Sequence, residues 1–179
     1  MEKYIELLKD KCWRIADFYR ETISPEPITG KLIKASHMFL VIADYGASFR
    51  YCGISIIKKE DLTLIETLAI HELENSDASS NSEIQNVDFI DIDNDMHTLL
   101  WSIAKANVAI SIYRESIDPN QFYIANNLEV HQNSISGIYY DKNGWKKGTF
   151  CMNIQDITQL SLFGVYESYI IEQGSKLRA

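Results

Sequence analysis

The chain has 179 residues, is 46% hydrophobic and carries a net charge of −8, so it can bury one moderate core or two small ones. No apolar run approaches the roughly 18 to 20 residues of a membrane span, so no membrane partner is expected. Cys12, Cys52 and Cys151 are widely spaced with no CxxC pair, and three acids, Glu2, Glu6 and Asp10, fall within the first ten residues, so reduced thiols, no signal peptide and a cytoplasmic location are expected.

The predicted elements form two similar series. Ile5, Leu8 and Cys12 recur at helical spacing, and a strand over 14–22 follows. That strand ends in Tyr19-Arg20-Glu21-Thr22-Ile23-Ser24-Pro25, where proline cannot donate to a ladder. Further strands are predicted over 28–35, 38–44, 51–58 and 62–68. The second series begins with Leu99 or Leu100, Ile103 and Ala106 at helical spacing, with Asn94 or Asp95 as N-cap. Its first strand, 108–116, ends in Tyr113-Arg114-Glu115-Ser116-Ile117-Asp118-Pro119, identical to the earlier run at five of seven positions. Strands over 123–130, 134–140, 146–153 and 157–163 follow, with Asp141-Lys142-Asn143-Gly144 as a hairpin turn and a final helix over 165–173. Matching apolar positions sets Leu32 against Leu128 and Phe39 against Ile135. A repeat of this kind implies internal duplication of one unit of about 65 to 80 residues.

The charge lies between the copies. Residues 1–70 hold ten Lys/Arg and ten Asp/Glu, and residues 96–179 hold seven of each. Residues 71–95 hold eight acids and no Lys or Arg. Three segments are therefore expected: a helix and barrel over 1–70, an acidic linker over 71–95, and a second helix and barrel with a C-terminal helix over 96–179. Residues 72–86 are expected to be mobile, and 87–92 to dock as an extra edge strand.

Helix, three-strand meander, fourth strand, tight turn and short fifth strand is an order that resembles the Sm-like member of the small SH3-type β-barrels. Gly30 is similar to the glycine of the Sm second strand, and Lys147-Gly148 resembles the Arg-Gly pair of the fourth; Cys52-Gly53 keeps the glycine. The Asp-x-x-Met-Asn signature used for RNA bases is absent, and residues 35–39 and 131–135 stand in its place. The resemblance implies a mainly β (α+β) fold of two tandem five-stranded barrels, each preceded by a helix.

The acids, cysteines and hairpins hold the residues with candidate chemistry. Asp91, Asp93 and Asp95 alternate as in an EF-hand loop, but its sixth and twelfth positions are Met96 and Ser102 rather than glycine and glutamate, which excludes that site. A different metal site built on Asp91, Asp93 and His97 weighs less than a solvated linker and helix cap. No nucleophile elbow or phosphate-binding glycine loop is present, so no catalytic residue, metal or cofactor is expected. Cys151, in an apolar strand, reads as a small core residue. The hairpins between third and fourth strands interleave aromatics with cations: Tyr45, Phe49 and Arg50 in the first copy, Lys142, Trp145, Lys146 and Lys147 in the second. Such sets stack bases and neutralise phosphates, or else close barrel ends while the lysines stay solvated. In the repeated motif, Phe18 and Arg20 share one strand face, with Arg20 read as snorkelling at a rim.

The expectation is a non-enzymatic protein-interaction module. Asp88, Asp91, Asp93 and Asp95 would offer a docking surface to a basic protein partner, as an inhibitor, immunity or counter-defence protein would. Abundant isoleucine, lysine and asparagine with few prolines fit a bacterial or phage source. The alternative is an Sm-like RNA or nucleotide binder acting through the hairpin tips.

Overall fold

The computed structural model describes residues 2–10, 15–46, 50–67 and 86–176. Phe49, Cys12 and residues 72–85 of the segment for which mobility was expected lie outside them. The chain divides into two compact units, Met1–Gln85 and Asn86–Ala179. The architecture is mainly β: the described residues form ten antiparallel strands and three short α-helices. No helix among the described residues is long and apolar enough to cross a membrane.

The first unit runs α1 (Glu2–Asp10), β1 (Ala16–Arg20), β2 (Ser24–Ala35), β3 (Phe39–Asp44), β4 (Gly53–Lys58) and β5 (Leu64–Thr67), with a 3₁₀ turn at Lys59–Asp61. Its ladders give the order β5-β1-β2-β3-β4. Alternation along β1 buries Ala16, Phe18 and Arg20 and leaves Asp17 and Tyr19 half-buried. Ile5 and Leu8 of α1 join Phe18, Ile28, Leu32, Leu40, Ile42, Ile57 and Ile65 in one core. Gly30 is required by a close approach: a Cβ there would lie 2.2 Å from the Ala43 carbonyl oxygen.

The second unit runs α2 (Met96–Ala106), β6 (Ile110–Tyr113), β7 (Phe122–Val130), β8 (Ser134–Tyr140), β9 (Lys146–Asn153), β10 (Gln159–Leu162) and α3 (Val165–Lys176), with a 3₁₀ turn at Ile154–Asp156. The order is β10-β6-β7-β8-β9. Asp95 caps α2, its Oδ1 accepting from the Thr98 backbone N–H at 2.9 Å, and Asn107 ends the helix in the left-handed region at φ 52°. Phe163, before α3, is also left-handed at φ 60°, and its ring meets that of Phe89 edge-on at 6.3 Å.

The two copies of the repeated motif make the same bonds. Ile23 N–H donates to the Arg20 carbonyl at 2.8 Å, and Ile117 N–H to Arg114 at 2.8 Å. Glu21 N–H donates to Thr63 Oγ1 at 3.3 Å, and Glu115 N–H to Thr158 Oγ1 at 3.0 Å. The Thr63 and Thr158 backbone N–H groups reach the Tyr19 and Tyr113 carbonyls at 2.8 and 3.0 Å.

Several expectations are corrected. The first strand does not stop pairing at proline. β2 restarts at Ser24 opposite Arg20 and carries Pro25 through a register shift, where a missing N–H is tolerated. The alignment beyond the motif is one residue out. Phe39–Lys58 and Ser134–Asn153 occupy corresponding rungs, so Phe39 matches Ser134; β2 and β7 carry equivalent bulges, between Leu32 and Lys34 and between Asn126 and Glu129, so the correspondence runs unchanged through both, and matching by apolar character alone mispaired the residues. Residues 87–92 form turns rather than an edge strand, because Val87, Ile90 and Ile92 are buried while Ser102 of α2 accepts the Asp91 N–H at 3.1 Å. Arg20 does not snorkel; it is 2% exposed. Cys151 is exposed, because its neighbours Phe150 and Met152 take the core side of β9. The sheet is not closed: each 3₁₀ turn sends the short last strand to the first strand of its unit, and β4–β5 or β9–β10 ladders are absent among the described residues.

Two substitutions test this account. Gly30→Ala is expected to destabilise the first unit by about 3 kcal/mol or more, since the contact is with backbone. Thr158→Val, removing a buried hydroxyl that serves Glu115, should cost about 1 to 3 kcal/mol. Urea midpoints of the variants read both; unchanged midpoints would contradict the packing described.

Candidate functional site

The first hairpin turns its aromatic inward. Tyr45 is 1% exposed, edge-on to Tyr51 at 5.9 Å, with Lys31 Nζ 5.6 Å from its ring centroid. Asp44 organises the bend: its Oδ1 accepts from Gly46 N–H at 2.9 Å and its Oδ2 from the Ser55 hydroxyl at 3.0 Å. Burial raises the Asp44 pKa against both bonds. Burial, and then the Asp44 charge, push the Cys52 thiol up, which keeps it a thiol rather than a nucleophilic thiolate. Arg50 is exposed.

The second hairpin turns outward. Asp141 Oδ1 accepts from Asn143 N–H at 2.9 Å and from Trp145 N–H at 3.1 Å. Gly144 N–H reaches the Asp141 carbonyl at 2.9 Å, with Gly144 left-handed at φ 80°. This turn holds the Trp145 backbone while leaving the side chain 58% exposed. Lys142, Lys146 and Lys147 are exposed around it, Lys147 Nζ lying 4.0 Å from Asp141 Oδ2. Behind the tip, Tyr123 packs on Tyr139 at 5.8 Å and on Phe150 at 5.6 Å, beneath the Arg114 guanidinium at 5.5 Å.

The four aspartates do separate local work. Asp88 N–H donates to Asn86 Oδ1 at 2.8 Å, Asp91 Oδ1 accepts from Asp93 N–H at 3.1 Å, and Asp95 is the helix cap. The Thr98 bonds hold the Asp95 carboxyl below the usual range. Among the described residues no three His, Cys, Asp or Glu side chains gather as a metal centre would need.

Sequence reasoning missed two features of α3. Glu167 is buried at 3% exposure and accepts a short hydrogen bond from the Ser111 hydroxyl of β6. Desolvation raises its pKa against that bond. Its position three residues before Ile170, on one helical face, was the available signal. On the other side, Tyr113 stacks on Phe122 at 5.0 Å and Phe122 meets Tyr166 at 5.4 Å. Tyr166 is 40% exposed, and Tyr169 and Val165 beside it are also exposed.

No family model matches the chain, and neither a curated protein nor a solved structure was found that matches it.

The buried carboxyl generates a pH test. With its folded-state pKa above the ordinary 4.5, Glu167 holds a proton that the unfolded chain has released. Its contribution to stability therefore declines as pH rises from about 4.5 through the folded value and is level above it. Glu167→Gln should gain on the wild type in urea unfolding as pH is raised above the ordinary 4.5. A constant difference as pH rises would refute the assignment, and comparison with the variant cancels the similar slope from Asp44.

Proposed function

We propose that the chain is a non-enzymatic binding protein of two Sm-like units, descended from one duplicated unit, whose partner is another protein. The carrying observation is the aromatic surface of the second unit, where Tyr113 stacks on Phe122, Phe122 meets Tyr166 at a tilt, and Tyr166, Tyr169 and Val165 stay exposed. Large aromatics with few rotatable bonds are over-represented among residues that dominate protein–protein affinity. The corresponding turn, threonine and 3₁₀ bonds of both units, and their matching strand orders, support common descent. The acidic composition of 71–95, with eight acids and no Lys or Arg, suits a basic partner.

Capture from lysate of the source cells, with and without nuclease, tests this reading. A stoichiometric protein that resists nuclease is expected, and Tyr166→Ser combined with Tyr169→Ser should weaken its binding by about 2 kcal/mol or more, roughly thirtyfold. Stability of that variant should change by less than about 1 kcal/mol. Retention of the protein by the variant would remove the aromatic surface from the account, and an eluate lost to nuclease would remove the protein partner.

A further inference from the structure

We propose that the β8–β9 hairpin tip is a binding site for single-stranded nucleic acid, with Trp145 as the stacking platform and Lys142 and Lys146 as phosphate contacts. The inference stands apart from the aromatic surface of α3 and uses none of its residues. Three observations carry it.

The first is exposure. At 58% exposed, Trp145 offers its indole to solvent, although a tryptophan in a small β unit is ordinarily drawn into packing. Tyr45 of the first hairpin follows that ordinary course at 1% exposed.

The second is preorganisation. The Asp141 carboxylate accepts two backbone N–H groups, from Asn143 and from Trp145 itself, and the left-handed Gly144 closes the turn. The backbone bearing the indole is thus ordered before any ligand arrives, which reduces the entropic cost of stacking.

The third is local charge. Among the described residues Lys142 and Lys146 make no ion pair, and the Asp141 carboxylate lies 4.0 Å from Lys147. A cationic tip therefore surrounds the indole on a chain whose net charge is −8. Planar bases supply what the indole can stack upon, and the linking phosphates supply what the lysines can neutralise. An acidic peptide would satisfy the lysines but leave the indole wet. A lipid surface would need apolar neighbours to insert with Trp145, and residues 142–147 are otherwise lysine, asparagine and glycine.

The test follows the indole N–H resonances of the full chain by nitrogen-labelled NMR, Trp145 being assigned from Trp145→Phe. A thymidine hexanucleotide should move the Trp145 resonance selectively. Trp145→Ala should weaken binding about tenfold, and Lys142→Ala with Lys146→Ala should weaken it while lowering the salt dependence. In the wild type the log–log slope against salt should lie between about −1.4 and −2, as for two or three phosphates. The proposal fails if the resonance stays still, or if an abasic hexanucleotide binds as tightly as the thymidine one. It fails equally if polyglutamate or phosphatidylserine vesicles bind the tip more tightly than the oligonucleotide. Each outcome can be read whether or not Tyr166 and Tyr169 hold a protein partner.

Discussion

Both units depend on how one threonine holds the end of the first strand. Thr63 and Thr158 each follow a 3₁₀ turn, and each engages both sides of the repeated motif. The backbone N–H reaches the tyrosine carbonyl, and the hydroxyl accepts from the glutamate N–H. The Thr158 hydroxyl also lies 2.9 Å from the Glu115 carboxylate. These backbone groups stand where the chain leaves its ladder, so without the threonine they would need water or would go unmet. The first strand lies between the last strand and the second in each strand order, and one clasp therefore sets the start of the last strand against the reversal into the second. The repeated residues are explained by this bonding, and they carry no chemistry of their own.

The units diverge where the third and fourth strands meet. Asp44 faces Gly53 and Tyr139 faces Gly148 on corresponding rungs, yet one is a half-buried carboxylate and the other an aromatic. In the first unit Asp44 recruits Ser55 and Gly46 and draws the bend inward over Tyr45. In the second, Tyr139 and Phe150 fill that space with Tyr123, and the ordering carboxylate moves into the turn as Asp141. A side chain that orders the bend from beneath leaves its aromatic buried; one that orders it from within the turn leaves the aromatic outside.

Much of this was legible in sequence because it rests on local chemistry. Strand positions followed from alternation, the cap at Asp95 from its place before an apolar helical run, and the turn at 141–144 from Asp, Asn and Gly. What was not legible depended on partners distant in sequence. Pro25 could enter a strand only because a register shift spared its missing N–H. Residues 87–92 have the apolar content of a strand, but Val87, Ile90 and Ile92 are buried without pairing and Ser102 of α2 offered the Asp91 N–H a bond. Cys151 was read as core from the composition of β9, whereas the pairing register turned Phe150 and Met152 inward. Trp145 was legible as a candidate, but its exposure depended on how the turn was braced.

Phe163 has a consequence for how the second unit assembles. A bulky residue held at φ 60° carries backbone strain of about 1 to 3 kcal/mol, which its surroundings must offset. Its edge-on partner is Phe89, which precedes α2, while Phe163 itself leads into α3. The contact thus joins the two ends of the unit, among the most costly loops to close in a folding chain. The local bonds of the hairpins can form early, but the left-handed bend at Phe163 becomes favourable only once residue 89 has docked. Folding of this unit is therefore expected to finish at its seam, with α3 the last element to settle and the first to detach.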